Sequence, residues 1–142
     1  MTRSLLAFAL AIFTLAASAR TISPDEALSA ALNTTTRLHR APAARRYTLS
    51  QTFNDRPGIP AVYLFSGTDN AFLVTPADDC AGVTVLGYGI QNLSSDIPCN
   101  MRAWLEEYAR QIEWLRSLPE DVARRQVYRG SPQRQNPVAP PC

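Results

Sequence analysis

Covalent catalysis needs a nucleophile, a base within reach and a group that orients the base. A thiol with an imidazole base would draw on three cysteines, Cys80, Cys99 and Cys142, and one histidine, His39. His39 falls in a polar stretch after a weak helical pattern, where solvent exposure is expected. Cys80 is flanked by Asp79 and Ala81, which supply no cation to depress a thiol pKa. Cys99 stands ahead of a strong helical pattern, whose N-terminus could stabilise a thiolate; the alternative for Cys99 is a disulfide. Asp78-Asp79 could suggest calcium, but adjacent side chains diverge and no ligand loop follows, so the pair reads as a solvated turn. Glu106-Glu107 reads as a solvated helix face. One histidine and this cysteine spacing match no zinc pattern, and no phosphate loop, nucleotide fingerprint or serine elbow is present. No catalytic residue, metal or cofactor is assigned, and a non-enzymatic domain is expected.

The first residues have a separate purpose. Thr2-Arg3 is a short cationic start, 5–17 is almost unbroken apolar sequence, and Ala17-Ser18-Ala19 has the small-x-small spacing of a signal-peptidase site. The run is too short to span a bilayer, which takes about 20 apolar residues. Residues 1–19 are therefore read as a cleaved signal peptide, with a secreted or periplasmic product and no membrane association after cleavage. Export permits a disulfide, and Cys80 with Cys99 is the expected pair, leaving Cys142 odd. The chain carries 14 basic and 12 acidic residues for a net charge of +2, and loss of Arg3 with the leader brings the product to +1. Every basic residue is arginine. Arg45-Arg46 and Arg124-Arg125 are pairs rather than a stripe and lack interleaved aromatics, so nucleic acid is not an expected partner.

The remaining pattern supplies the elements that must position any site. Ser23-Pro24-Asp25-Glu26 is a helix start: Ser23 can cap, Pro24 fits the first turn, and Glu26 can close a capping box. Ala27, Leu28, Ala31 and Leu32 form its narrow apolar stripe, and Asn33-Thr34-Thr35-Thr36 weakens it. Four strands are expected at 47–50, 61–65, 71–75 and 83–88. Gly67-Thr68-Asp69-Asn70 is a hairpin turn between the second and third, and Pro76 should end the third. After a polar loop at 91–99, Met101, Leu105, Tyr108, Ile112 and Leu115 recur at helical spacing with Trp104 beside them. Pro119 closes that helix, and a short one is expected at 120–126. Residues 130–142 read as a disordered tail. The expected fold is α+β: an antiparallel sheet of about four strands packed against an N-terminal helix and a long C-terminal helix, in one domain over 20–129 that is monomeric when free.

The order of several short elements resembles the propeptide of streptopain-type cysteine peptidases and the free-standing Spi protease inhibitors. The elements are Val62-Tyr63-Leu64-Phe65, Ala71-Phe72-Leu73-Val74, Ala77-Asp78-Asp79, Val85-Leu86-Gly87-Tyr88 and 100–108 with Gln111-Ile112, behind the early Asp25-Glu26-Ala27-Leu28. Together they cover roughly two thirds of the mature chain. The resemblance implies a bacterial inhibitor or propeptide whose partner is a papain-like cysteine protease, and which maintains zymogen latency by covering the cleft. It also implies that an asparagine just before the last long helix enters that cleft, a place held here by Asn100, with Asp96, Ile97, Pro98 and Met101 completing the plug. A carboxamide offers donors and an acceptor to a polar site and has no bond to be cut; asparagine is equally a favoured helix cap. Pro76, a longer loop over 80–84, and both Cys80 and Cys99 depart from the family pattern. Pro137-Val138-Ala139-Pro140-Pro141 resembles the junction to a catalytic domain, which leaves open a stand-alone inhibitor, the leader of an interrupted zymogen, or an exported binding module without a protease partner.

Overall fold

The computed structural model of the protein describes residues 20–37, 46–93 and 96–129. The leader, His39, the tail over 130–142 and Cys142 lie outside the described residues. The elements run α1 (Pro24–Arg37), β1 (Tyr47–Phe53), β2 (Val62–Gly67), β3 (Ala71–Pro76), β4 (Gly87–Ile90), α2 (Cys99–Ser117) and α3 (Glu120–Arg129). The strands form one antiparallel meander in the order β1-β2-β3-β4. The α+β expectation is met. Among the described residues no helix is long and apolar enough to cross a membrane.

The sheet is covered on both faces, and β2 shows why. Val62, Tyr63, Leu64 and Phe65 are all buried, although successive strand residues point to opposite sides. Val62 and Leu64 join Val74, Leu105, Ala109 and Ile112 in a cluster beneath α2. Tyr63 and Phe65 join Leu73, Ala27 and Ala31 beneath α1. A central strand sandwiched this way reads as a continuous apolar run rather than an alternating one. The register places Leu64 opposite Val74 and Phe65 opposite Leu73, so each cluster continues across the strand pair.

Local chemistry accounts for the element ends. Asp69 and Asn70 adopt φ of 59° and 56° in the turn between β2 and β3, a region that short polar side chains tolerate. Strand β3 ends at Pro76, as expected. Ser23 Oγ accepts from the Glu26 amide at 3.3 Å, half of the anticipated capping box. The other half is absent because the Glu26 carboxylate takes the Arg20 guanidinium instead, at 3.0 and 3.1 Å.

The threonine run does not end α1, which continues to Arg37; Thr34 and Thr35 donate their hydroxyls back to the carbonyls of Ala30 and Ala31 at 3.0 Å, and Thr35 is buried. Two expectations needed revision. The fourth strand starts at Gly87 rather than residue 83. Gly82 sits at φ 66° in a left-handed turn, and Val85 packs into the α1 cluster instead of the ladder. The buried stripe of α2 is Leu105, Ala109, Ile112 and Glu113, with Met101 and Tyr108 packed at its margin; Trp104 and Leu115 lie off it.

Because Leu64 is wholly buried at the centre of the α2 cluster, Leu64→Ala is expected to lower unfolding stability by about 2–5 kcal/mol. Urea denaturation followed by tryptophan fluorescence measures this, and a loss under 1 kcal/mol would contradict the placement.

Candidate functional site

Helix α2 has about 28 Å of length at 1.5 Å per residue, and its two ends are built differently. The loop entering it is pinned from inside: Leu93 and Ile97 are both buried and belong to the α2 core cluster. Pro98 then supplies an extended backbone ahead of the first turn, with φ −50° and ψ 140°. Asn100 lies in that first turn, exposed. It is not the helix cap, a place taken by Pro98; its Oδ1 accepts from the Met101 amide at 2.8 Å, using one of the first-turn N–H groups that have no partner within the helix.

Asn100 opens onto a groove of about 490 Å³ whose walls include Phe72, Val74, Leu86, Met101, Trp104 and Tyr108. The groove exists because β4 lacks side chains on that face. Gly87 is opposite Val74 and Gly89 opposite Phe72. A Cβ on Gly89 would come within 2.7 Å of the Phe72 ring, whereas one on Gly87 would meet nothing within 4 Å. Trp104 is 41 % exposed and stands edge-on to Tyr108, with ring centroids 5.3 Å apart. Beyond the groove β4 is an edge strand that pairs only with β3 among the described residues, and Ile90 is 70 % exposed. The groove is thus a largely apolar trough with the Asn100 carboxamide at its rim, beside an open strand edge.

The expected plug residues are therefore divided. Asp96 and Asn100 are exposed, Pro98 and Met101 are half-buried, and Met101 forms part of the groove wall. Ile97, at 3 % exposure, is a core residue and cannot reach into a partner's cleft. That is a correction: apolar type at this position serves the loop's anchorage.

The far end of α2 holds a charged chain absent from the sequence reading. The Arg116 guanidinium donates to Asp78 Oδ2 at 2.8 Å, to Glu113 Oε2 at 3.2 Å and to the Pro60 carbonyl at 2.6 Å. Glu113 Oε1 in turn lies 2.9 Å from Arg56 Nε. Asp78 is buried, not the solvated turn expected of Asp78-Asp79. Its Oδ1 accepts from the Cys80 amide at 2.9 Å. Burial alone would raise the Asp78 carboxyl; the hydrogen bonds from Cys80 and from Arg116 outweigh it and hold the group below the usual carboxylate range. A signal for the Glu113–Arg116 part was present: both continue the 105–109–112 stripe, at helical spacing, as charges on an apolar face. The Asp78 partnership had none.

Cys80 and Cys99 are not bonded to each other. Cys80 has a free thiol, while Cys99 is disulfide-bonded. The Cys80 sulfur lies 4.0 Å from the carbonyl oxygen of Ile112, about 20 Å along α2 from Cys99, and a disulfide requires Cα atoms within about 7 Å. Burial and the Asp78 carboxylate push the Cys80 thiol up to about 12, so it is held protonated. Among the described residues no cluster of three metal-ligating side chains occurs. The chain matches no protein-family model, no curated protein and no solved structure.

Arg116→Met leaves Asp78 buried without its cation and is expected to cost about 3–5 kcal/mol, against less than about 0.5 kcal/mol for the exposed Arg125→Ala. Urea unfolding of both variants checks the contrast. Since the folded Asp78 pKa is depressed, its contribution is present above the ordinary carboxylate value near 4 and is lost as pH falls below it. The acid limb of the stability–pH curve should be shallower in Asp78→Asn. Without reductant, iodoacetamide should label Cys80 only after denaturation and leave Cys99 unlabelled; peptide mass mapping reads both.

Proposed function

We propose that the protein is an inhibitor, or a propeptide acting in trans, of a streptopain-type papain-like cysteine protease, and that it blocks the cleft non-covalently with the surface around the start of α2. The observation that carries this reading is Asn100: an exposed carboxamide at the first turn of α2, on the rim of an apolar groove and held in orientation by the Met101 amide. A polar head beside an aromatic wall suits a cleft whose catalytic groups are polar and whose subsites are apolar. The order of elements that resembles the streptopain propeptide points to the same partner. With Ile97 buried, the contact surface consists of Asp96, Pro98, Asn100 and Met101, extended by Trp104.

A second reading, an exported binding module with no protease partner, draws on the open edge of β4, which would accept any extended peptide by strand addition.

Adding chain 20–142 to a streptopain-type protease should give stoichiometric, saturable inhibition; undiminished activity at micromolar concentrations would remove the proposal in favour of the binding module. Asn100→Ala should weaken inhibition by about tenfold or more, with stability changed by no more than about 1 kcal/mol. Gly87→Phe, which fills the groove where a side chain meets open space, should weaken inhibition without loss of stability. Inhibition constants and thermal melts on the same preparations separate contact from folding.

A further inference from the structure

The segment ahead of α1 is bound to the sheet, residue by residue. The Arg20 backbone nitrogen lies 2.9 Å from Asp79 Oδ1, and the Arg20 carbonyl accepts from the Asp79 amide at 3.2 Å. Thr21 bridges Asp78 in antiparallel fashion. The Ile22 amide donates to the Ala77 carbonyl at 3.0 Å, and its carbonyl accepts from the Tyr63 hydroxyl at 2.9 Å. Residues 20–22 thus lie along 77–79 as a short added strand, and the nitrogen aimed at a carboxylate belongs to the residue directly after Ala17-Ser18-Ala19.

We propose that cleavage between Ala19 and Arg20 creates an N-terminal ammonium that pairs with the Asp79 carboxylate and clamps residues 20–22 onto the 77–81 loop, so that processing strengthens a contact the chain already makes. The inference rests on reading residues 1–19 as a cleaved leader. Hydrolysis breaks the Ala19–Arg20 C–N bond; the oxygen of water goes to the Ala19 carboxylate, and the Arg20 nitrogen leaves as an amine that is protonated at neutral pH. An amide N–H with one uncharged donor becomes a cation with three, and hydrogen bonds between ionised partners are roughly twice as strong as neutral ones. The carboxylates around the site are Asp79, Asp78 and Glu26. The cations are the Arg20 guanidinium, engaged by Glu26, and Arg116, engaged by Asp78. The Tyr63 hydroxyl and the Cys80 thiol are neutral there. Asp79 is the carboxylate within reach of the new amine, whose pKa should therefore stand above the ordinary 7.7–8.0 of a chain terminus. A raised folded value gives stability that is present below about pH 8 and lost as pH rises through it.

The test is unusually direct because the chain has no lysine, which leaves the Arg20 amine as the sole primary amine of the processed protein. Chain 20–142 with Arg20 first, and a chain retaining Ala19, are each prepared with and without Asp79→Asn. The amine pKa is read from the pH dependence of acylation by mass spectrometry. The Arg20 amine should titrate about half a unit to one unit above the ordinary range, fall back in Asp79→Asn, and show no such dependence when Ala19 is retained. The Ala19-retaining chain should melt about 2–4 °C lower at pH 7, with the difference gone at pH 10. An ordinary amine pKa indifferent to Asp79→Asn overturns the pairing. N-terminal sequencing of the exported protein that finds a first residue other than Arg20 overturns the leader reading instead, whatever the Arg20-first chain does.

Discussion

Three stretches of chain far apart in sequence meet at one guanidinium. Arg116 near the end of α2 donates to Asp78 after β3, to the carbonyl of Pro60 before β2, and to Glu113 one turn back. Removing these charges from water is costly, and the arrangement is tolerable because each one finds an opposite partner: Asp78 and Glu113 against Arg116 and Arg56. Buried pairs of this kind contribute little net stability compared with apolar packing, but half of one is severely destabilising. The network therefore acts as a constraint on register. A helix slid by one turn on the sheet would bury carboxylates with no cation.

With its far end held in this way, α2 behaves as a rod whose near end can be left partly uncovered. Ile97 and Leu105 secure the entry to the helix, and the glycines of β4 withhold the side chains that would otherwise fill the space beside Phe72 and Val74. The groove at Asn100 is a consequence of both. On the opposite face α1 presents Ala27 and Ala31 to the cluster that holds Tyr63 and Phe65. The same 77–81 loop that supplies Asp78 to Arg116 also supplies Asp79 to Arg20. One short loop thus joins the start of the chain to α2.

Much of the architecture was legible because its signals are local. The apolar run 62–65, the turn residues Asp69 and Asn70, the stop at Pro76 and the cap at Ser23 act through their own backbone or immediate neighbours. The fourth strand was misplaced for a physical reason: Val83, Val85 and Leu86 have strand-like side chains, but the left-handed turn at Gly82 and the packing of Val85 under α1 delay pairing until Gly87. The threonines of α1 stay within the helix, with their hydroxyls bonded back to its own carbonyls. At the candidate site, Asn100 is exposed and Met101 half-buried at the helix start, while Ile97 is buried in the core.

The sequence by itself determined the element types, their order and the α+β class, since hydrophobic period, turn chemistry and caps are short-range properties. Only the tertiary structure decided that Asp78 is buried beside Arg116, that Cys80 lies far from Cys99, that a groove opens next to Asn100, and that the Arg20 nitrogen meets Asp79. Each of these depends on the distance between segments brought together by packing two helices on opposite faces of one sheet, and no local pattern carries that distance.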